Sequence, residues 1–118
     1  MFHHLSFSKR SREIINGIWE NAKRQPMAAK YNVIMDESSY FSAGAIAIRF
    51  ESSHGLSNMF LFFPSPEGEI CSCAIYGLQS QLINYKNVIE RSMSLFGLPV
   101  ESVEWDEGYE KFLDVTFK

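Results

Sequence analysis

Between residues 43 and 76 the chain alternates with a period of two, in three runs separated by tight turns, and that pattern restricts the fold more than any other feature. Residues 43–51 set Ile46, Ile48 and Phe50 against Ala45, Ala47 and Arg49, which predicts a strand with one face less deeply buried. Residues 58–63 send Met59, Leu61 and Phe63 one way and Phe60 and Phe62 the other, the pattern of a central strand covered on both sides. Residues 69–76 follow as a hairpin partner, with Cys71, Cys73 and Ile75 on a shared face. The connections, Ser52-Ser53-His54-Gly55 and Pro64-Ser65-Pro66-Glu67-Gly68, are short turns, so neighbouring strands run antiparallel.

Helical periodicity flanks this block. Ile14, Ile15, Ile18, Trp19 and Ala22 make one apolar face of a helix that runs to about Arg24 and stops at Pro26. Ser8 or Ser11 can cap it. A cap at Ser8 would crowd Lys9, Arg10 and Arg12 at the positive end of the helix dipole, so Ser11 is the favoured cap. Residues 31–35 read as a short strand, closed by a polar turn at Asp36-Glu37-Ser38-Ser39. Beyond Gly77, Leu78, Leu82, Tyr85, Ile89 and Phe96 predict one continuous helix over 78–96, stopped by Gly97, Leu98 and Pro99. A final hairpin places Val103 and Trp105 on one strand and Leu113, Val115 and Phe117 on the other, around a turn at Asp106-Glu107-Gly108-Tyr109. The fold class is therefore α+β, in the order α-β-β-β-β-α-β-β. Residues 1–118 form a single domain whose largely antiparallel sheet, of about five to six strands, carries two main helices. Strand order stays open at this level.

A composition of 46% hydrophobic and 21% charged residues is that of an ordinary folded protein. Residues 1–30 contain no apolar run of signal-peptide length, and the longest apolar stretch, Met59 to Phe63, falls far short of the ~20 residues that span a bilayer. The two cysteines lie at i and i+2, where a disulfide would close a strained loop. Free thiols in a reducing cytoplasm are the expectation.

Sites for chemistry are scarce. The glycines never approach the spacing of a phosphate-binding loop, and no HExxH, CxxC or EF-hand pattern occurs. The expectation is no catalytic residue, no cofactor and no metal. His3 and His4 read as a solvated terminus, and the Cys71/Cys73 pair lacks a second pair of soft ligands nearby. Glu104 and Asp106, at i and i+2 on a strand whose Val103 and Trp105 point inward, read as solvated acids. Five cations on the first helix raise the possibility of nucleic acid, but a pI near 5.6 argues for a merely solvated face.

Charge is the remaining signal. Lys9, Arg10, Arg12, Lys23, Arg24 and Lys30 outweigh Glu13 and Glu20 in the first thirty residues, whereas six acids outweigh Lys111 and Lys118 after residue 97. Glu101, Glu104, Asp106, Glu107 and Glu110 surround Trp105 and Tyr109. Such a patch attracts basic partners and repels nucleic acid, and neither nucleic acid nor a membrane is an expected partner. Glu101, Glu104, Asp106, Glu107, Tyr109 and Glu110 are the expected partner-binding residues, with Tyr109 as an aromatic anchor in the turn. Charge on an exposed edge also serves solubility alone.

In size, acidity and lack of catalytic motifs the chain resembles, as a class, the small cytosolic immunity proteins that bacteria pair with polymorphic or contact-dependent growth-inhibition toxins. That resemblance implies an acidic surface occluding a basic toxin domain, such as a nuclease. Two alternatives stand beside it: an adaptor or secretion-chaperone-like protein, and a small hydrolase or transferase using His54 with Cys71 or Cys73.

Overall fold

The first helix is anchored at its start by a turn from the middle of the chain. The computed structural model, which describes residues 6–37, 44–106 and 112–118, begins α1 (Lys9–Arg24) at Ser8, whose Oγ accepts from the Ser11 N–H. The cap is thus Ser8, not Ser11. Ser11 is buried and its hydroxyl donates instead to the Gly68 carbonyl oxygen at 2.8 Å. The same oxygen accepts from the Ser8 N–H at 2.9 Å. Two bonds to the Pro64–Gly68 turn outweigh the dipole conflict, because Lys9, Arg10 and Arg12 are exposed and screened by water.

Pro26 ends α1 and opens a 3-10 turn (Pro26–Lys30) that leads into β1 (Asn32–Asp36). Trp19 pins the helix to this strand: its Nε1–H donates to the Val33 carbonyl at 2.9 Å. Then come β2 (Ile46–Ser52), β3 (Gly55–Pro64) and β4 (Ile70–Tyr76), and, after the second helical region, β5 (Val100–Trp105) and β6 (Phe112–Phe117). They form one six-stranded sheet in the order β1-β2-β3-β4-β6-β5, every neighbouring pair antiparallel. The α+β reading holds, and the strand order is now defined.

The second helical region is broken where one helix was expected. It consists of α2 (Gln79–Lys86) and α3 (Ile89–Ser94). At the junction the Asn87 and Val88 N–H groups bond three residues back, to Asn84 and Tyr85, and Val88 takes φ −119°. Asn and β-branched Val are weak helix formers. The break lets Leu82 of α2 and Ile89 and Met93 of α3 all bury fully against the sheet.

All three α-helices cover one side. Ile15, Ile18, Leu82, Ile89 and Met93 pack there on Ile46, Ile48, Phe62, Cys73, Ile75, Leu113 and Val115. The other side carries a second, smaller cluster of Ala45, Ala47, Met59 and Leu61, with Phe63, Ala74, Tyr76 and Phe112 packed around it. One face of this strand was expected to be less deeply buried, yet Ala45 and Ala47 are as inaccessible as Ile46 and Ile48 on the opposite face. Among the described residues no helix lies on this second face.

Candidate functional site

β5 and β6 place Glu104 on the side of the sheet away from the helices. Val103 and Trp105 turn toward the helix-side core, as their alternation predicts, and the Lys86 ammonium stands 6.0 Å from the centre of the Trp105 ring. Glu104, between them, is exposed on the opposite face. Glu101 is exposed at the irregular register between Val100 and Ser102. Asp106 is half-buried just past the strand, its N–H donating to the Phe112 carbonyl at 3.1 Å. Glu107, Tyr109 and Glu110 lie outside the described residues, as does most of the turn assigned to Asp106–Tyr109.

A residue that the sequence reading passed over completes the group. Asp114 of β6 is the direct cross-strand partner of Glu104 and stands opposite Ala74 of β4. Partial burial raises its carboxyl above the usual range, and the Asp106 carboxyl, through charge and a hydrogen bond, and then Glu104 push the same way. The sequence signal was present: Asp114 is the one acid between the inward Leu113 and Val115. It becomes meaningful only once the hairpin register sets it against Glu104.

The acids border an apolar floor. Phe112, two residues before Asp114 on the same face, packs on Tyr76 with ring centroids 5.2 Å apart. Leu61, Met59 and Phe63 continue that floor toward β2. At the far end Arg49 is clamped between Asp36, at 3.4 Å, and Glu51. The face therefore runs from a cluster of one arginine and two carboxylates, across rings and alanines, to a row of carboxylates.

The residues considered for catalysis are spread apart. His54 is exposed in the β2–β3 turn, its backbone N–H bonded to Ser52 Oγ at 3.1 Å. The shallow cavity beside it is walled by Ser52, Leu56, Tyr76 and Leu78, and contains neither cysteine. Cys73 is sealed in the core, where burial pushes its thiol far above its ordinary value. Cys71 is half-buried and its thiol donates to the Phe63 carbonyl at 3.3 Å. Both thiols are free. Among the described residues no group of three His, Cys, Asp or Glu is placed to hold a metal ion, and no helix is long and apolar enough to cross a membrane.

No protein-family model, curated protein or solved structure matches this chain.

On α1 the cations are partly engaged. Arg12 pairs with Glu37, and Lys23 pairs with Glu20 at 3.1 Å while lying 3.6 Å from the centre of the Trp19 ring. A second concavity lies on the helix side. It is a cavity of about 250 Å³ between the 3-10 turn and α2, floored by Phe60 of β3.

Proposed function

We propose that this chain is a protein-binding module that captures a basic partner on the face of its sheet that no described helix covers. The observation that carries this reading is the meeting of Glu104, Asp106 and Asp114 beside the Phe112–Tyr76 floor. Like carboxylates brought together disfavour the fold unless a cation joins them, and Lys or Arg side chains of a partner relieve that repulsion. The neighbouring rings offer desolvated contact area, where binding energy concentrates. Size, acidity and this surface suit an inhibitor that neutralises a toxin domain with a cationic active site, as an immunity protein does. In that role Glu101, Glu104, Asp106 and Asp114 take the place of substrate phosphates, and Glu107, Tyr109 and Glu110 extend the same segment.

The test is capture from the native cell with tagged protein at low salt. A single stoichiometric basic protein, released as salt rises and lost with Glu104→Lys/Asp114→Lys, supports the reading. With that partner in hand, the double reversal slows association by at least about tenfold, the lower end of electrostatic steering. A partner that binds the double reversal as well as the parent chain removes this surface from the function.

A further inference from the structure

The helix layer leaves a seam over the middle of the sheet. α1 and the 3-10 turn pack toward β1, whereas α2 and α3 pack toward β6 and β5. In that seam Phe60 of β3 sits between two other rings, its centroid 6.0 Å from Phe50 on one side and 6.0 Å from Tyr85 on the other, at 67° and 57°. Tyr31 and Met27 close the wall on the α1 side, and Gln81 closes it on the α2 side. From this arrangement we infer that the cavity binds a small, uncharged aromatic ligand. The site is separate from the acidic face and owes nothing to the function proposed for it.

Each part of that description follows from the lining. Aromatic walls inclined to one another accept a further ring edge-to-face or offset, the arrangements that ring quadrupoles favour. Among the described residues, no charged side chain lines the cavity. A cation or anion placed there would lose its hydration without a counter-charge, which is strongly unfavourable. A volume of about 250 Å³ lies just below the roughly 300–1,000 Å³ of drug-sized sites, so the occupant is limited to one or two fused rings.

The two amide side chains of the lining, Asn58 and Gln81, meet each other. Asn58 Nδ2 donates to Gln81 Oε1 at 3.3 Å, and Asn58 Oδ1 accepts from Ser57 Oγ at 3.0 Å. The amide pair presents both a donor and an acceptor to one heteroatom of a ligand. Met27, 61% exposed on the rim, is an unbranched and adaptable side chain able to fold over rings of different outline.

Indole is the probe, titrated into isotopically labelled protein and followed by amide chemical shifts. Saturable shifts confined to residues around Tyr31, Phe50, Phe60 and Tyr85 are expected, with much smaller responses to benzoate and benzyltrimethylammonium. Gln81→Trp, at an exposed position on the rim, fills the cavity from outside and weakens indole by about tenfold or more, equivalent to the loss of about 1.4 kcal/mol. Should that variant fail to fold, Met27→Trp fills it from the opposite wall. Shifts that are unsaturable or scattered over the surface overturn the site, as does unchanged affinity in the folded filling variant. Tighter binding of the quaternary cation than of indole overturns the assignment of an uncharged ligand.

Discussion

Glu104 and Asp114 stand directly opposite each other across the β5–β6 pair, two carboxylates on the side of the sheet that no described helix covers. Opposed like charges on one face destabilise a sheet by roughly 0.2–1 kcal/mol. Asp114 is an acid whose carboxyl is raised in the fold above its ordinary 3.8. The native state therefore holds its proton to higher pH than the unfolded chain does, and stability falls as pH rises from 3.8 through the raised value. Asp114→Asn removes that loss. It should raise stability by a few tenths of a kcal/mol to about 1 kcal/mol at neutral pH, with little gain where Asp114 is protonated in both states. Urea denaturation of both proteins across that pH range checks it: a difference that does not grow with pH contradicts the charge account. The same variant should weaken a basic partner, separating stability from function.

The two cysteines should differ sharply in reactivity. Cys73 is 1% exposed and its thiol stays protonated, so it offers no thiolate to a reagent. Cys71, half-buried with its thiol turned to the Phe63 carbonyl, is reached by local motion. Maleimide treatment of native protein, read by peptide mass spectrometry, should label Cys71 first and Cys73 only at denaturant concentrations that unfold the chain. Early labelling of Cys73 would show that the sheet opens beneath α2 and α3.

Much of this architecture was legible because the strands keep strict alternation. Ile46, Ile48 and Phe50 had only one consistent side to occupy, and the short turns allowed only antiparallel neighbours. The errors share another cause: each depended on contacts distant in sequence. Ser11 looks like a helix cap until Gly68, 57 residues away, claims its hydroxyl. The run over 78–96 looks like one helix because Leu82, Tyr85 and Ile89 hold their spacing, yet full burial of both halves requires the turn at Asn87–Val88. The pairing of Asp114 with Glu104 went unread for the same reason, since only the hairpin register brings the two together. The cavity between the 3-10 turn and α2 gathers residues from five separate elements and had no local signature.

Ser11→Ala tests the anchor at the start of α1. It deletes a buried hydroxyl bond of 2.8 Å but leaves the Gly68 carbonyl its second donor, the Ser8 N–H. The cost should be about 1 kcal/mol, the net value of one hydrogen bond, and not the larger penalty of an orphaned acceptor. That corresponds to a fall in Tm of roughly 4 °C. No measurable change would mean that water replaces the hydroxyl without loss.

Two glycine substitutions should separate backbone strain from mere crowding. A Cβ on Gly68 would lie 2.8 Å from the Ser8 backbone nitrogen, and Gly68 holds φ +85°, a region that L side chains rarely adopt. Backbone cannot retreat there without breaking both bonds to the Gly68 carbonyl. Gly68→Ala should therefore cost more than Ser11→Ala, at least about 2 kcal/mol. A Cβ on Gly77 would come still closer, 2.5 Å, but to Asn58 Nδ2, the end of a side chain able to rotate. Gly77→Ala should cost less than about 1 kcal/mol, while severing the Asn58–Gln81 contact at the cavity mouth. Urea midpoints for both variants, with the Asn58 and Gln81 side-chain amide shifts in the second, decide the matter. Equal losses would place the Gly77 contact in rigid structure, and a mild Gly68→Ala would show that the turn can leave α1 without harm to the fold.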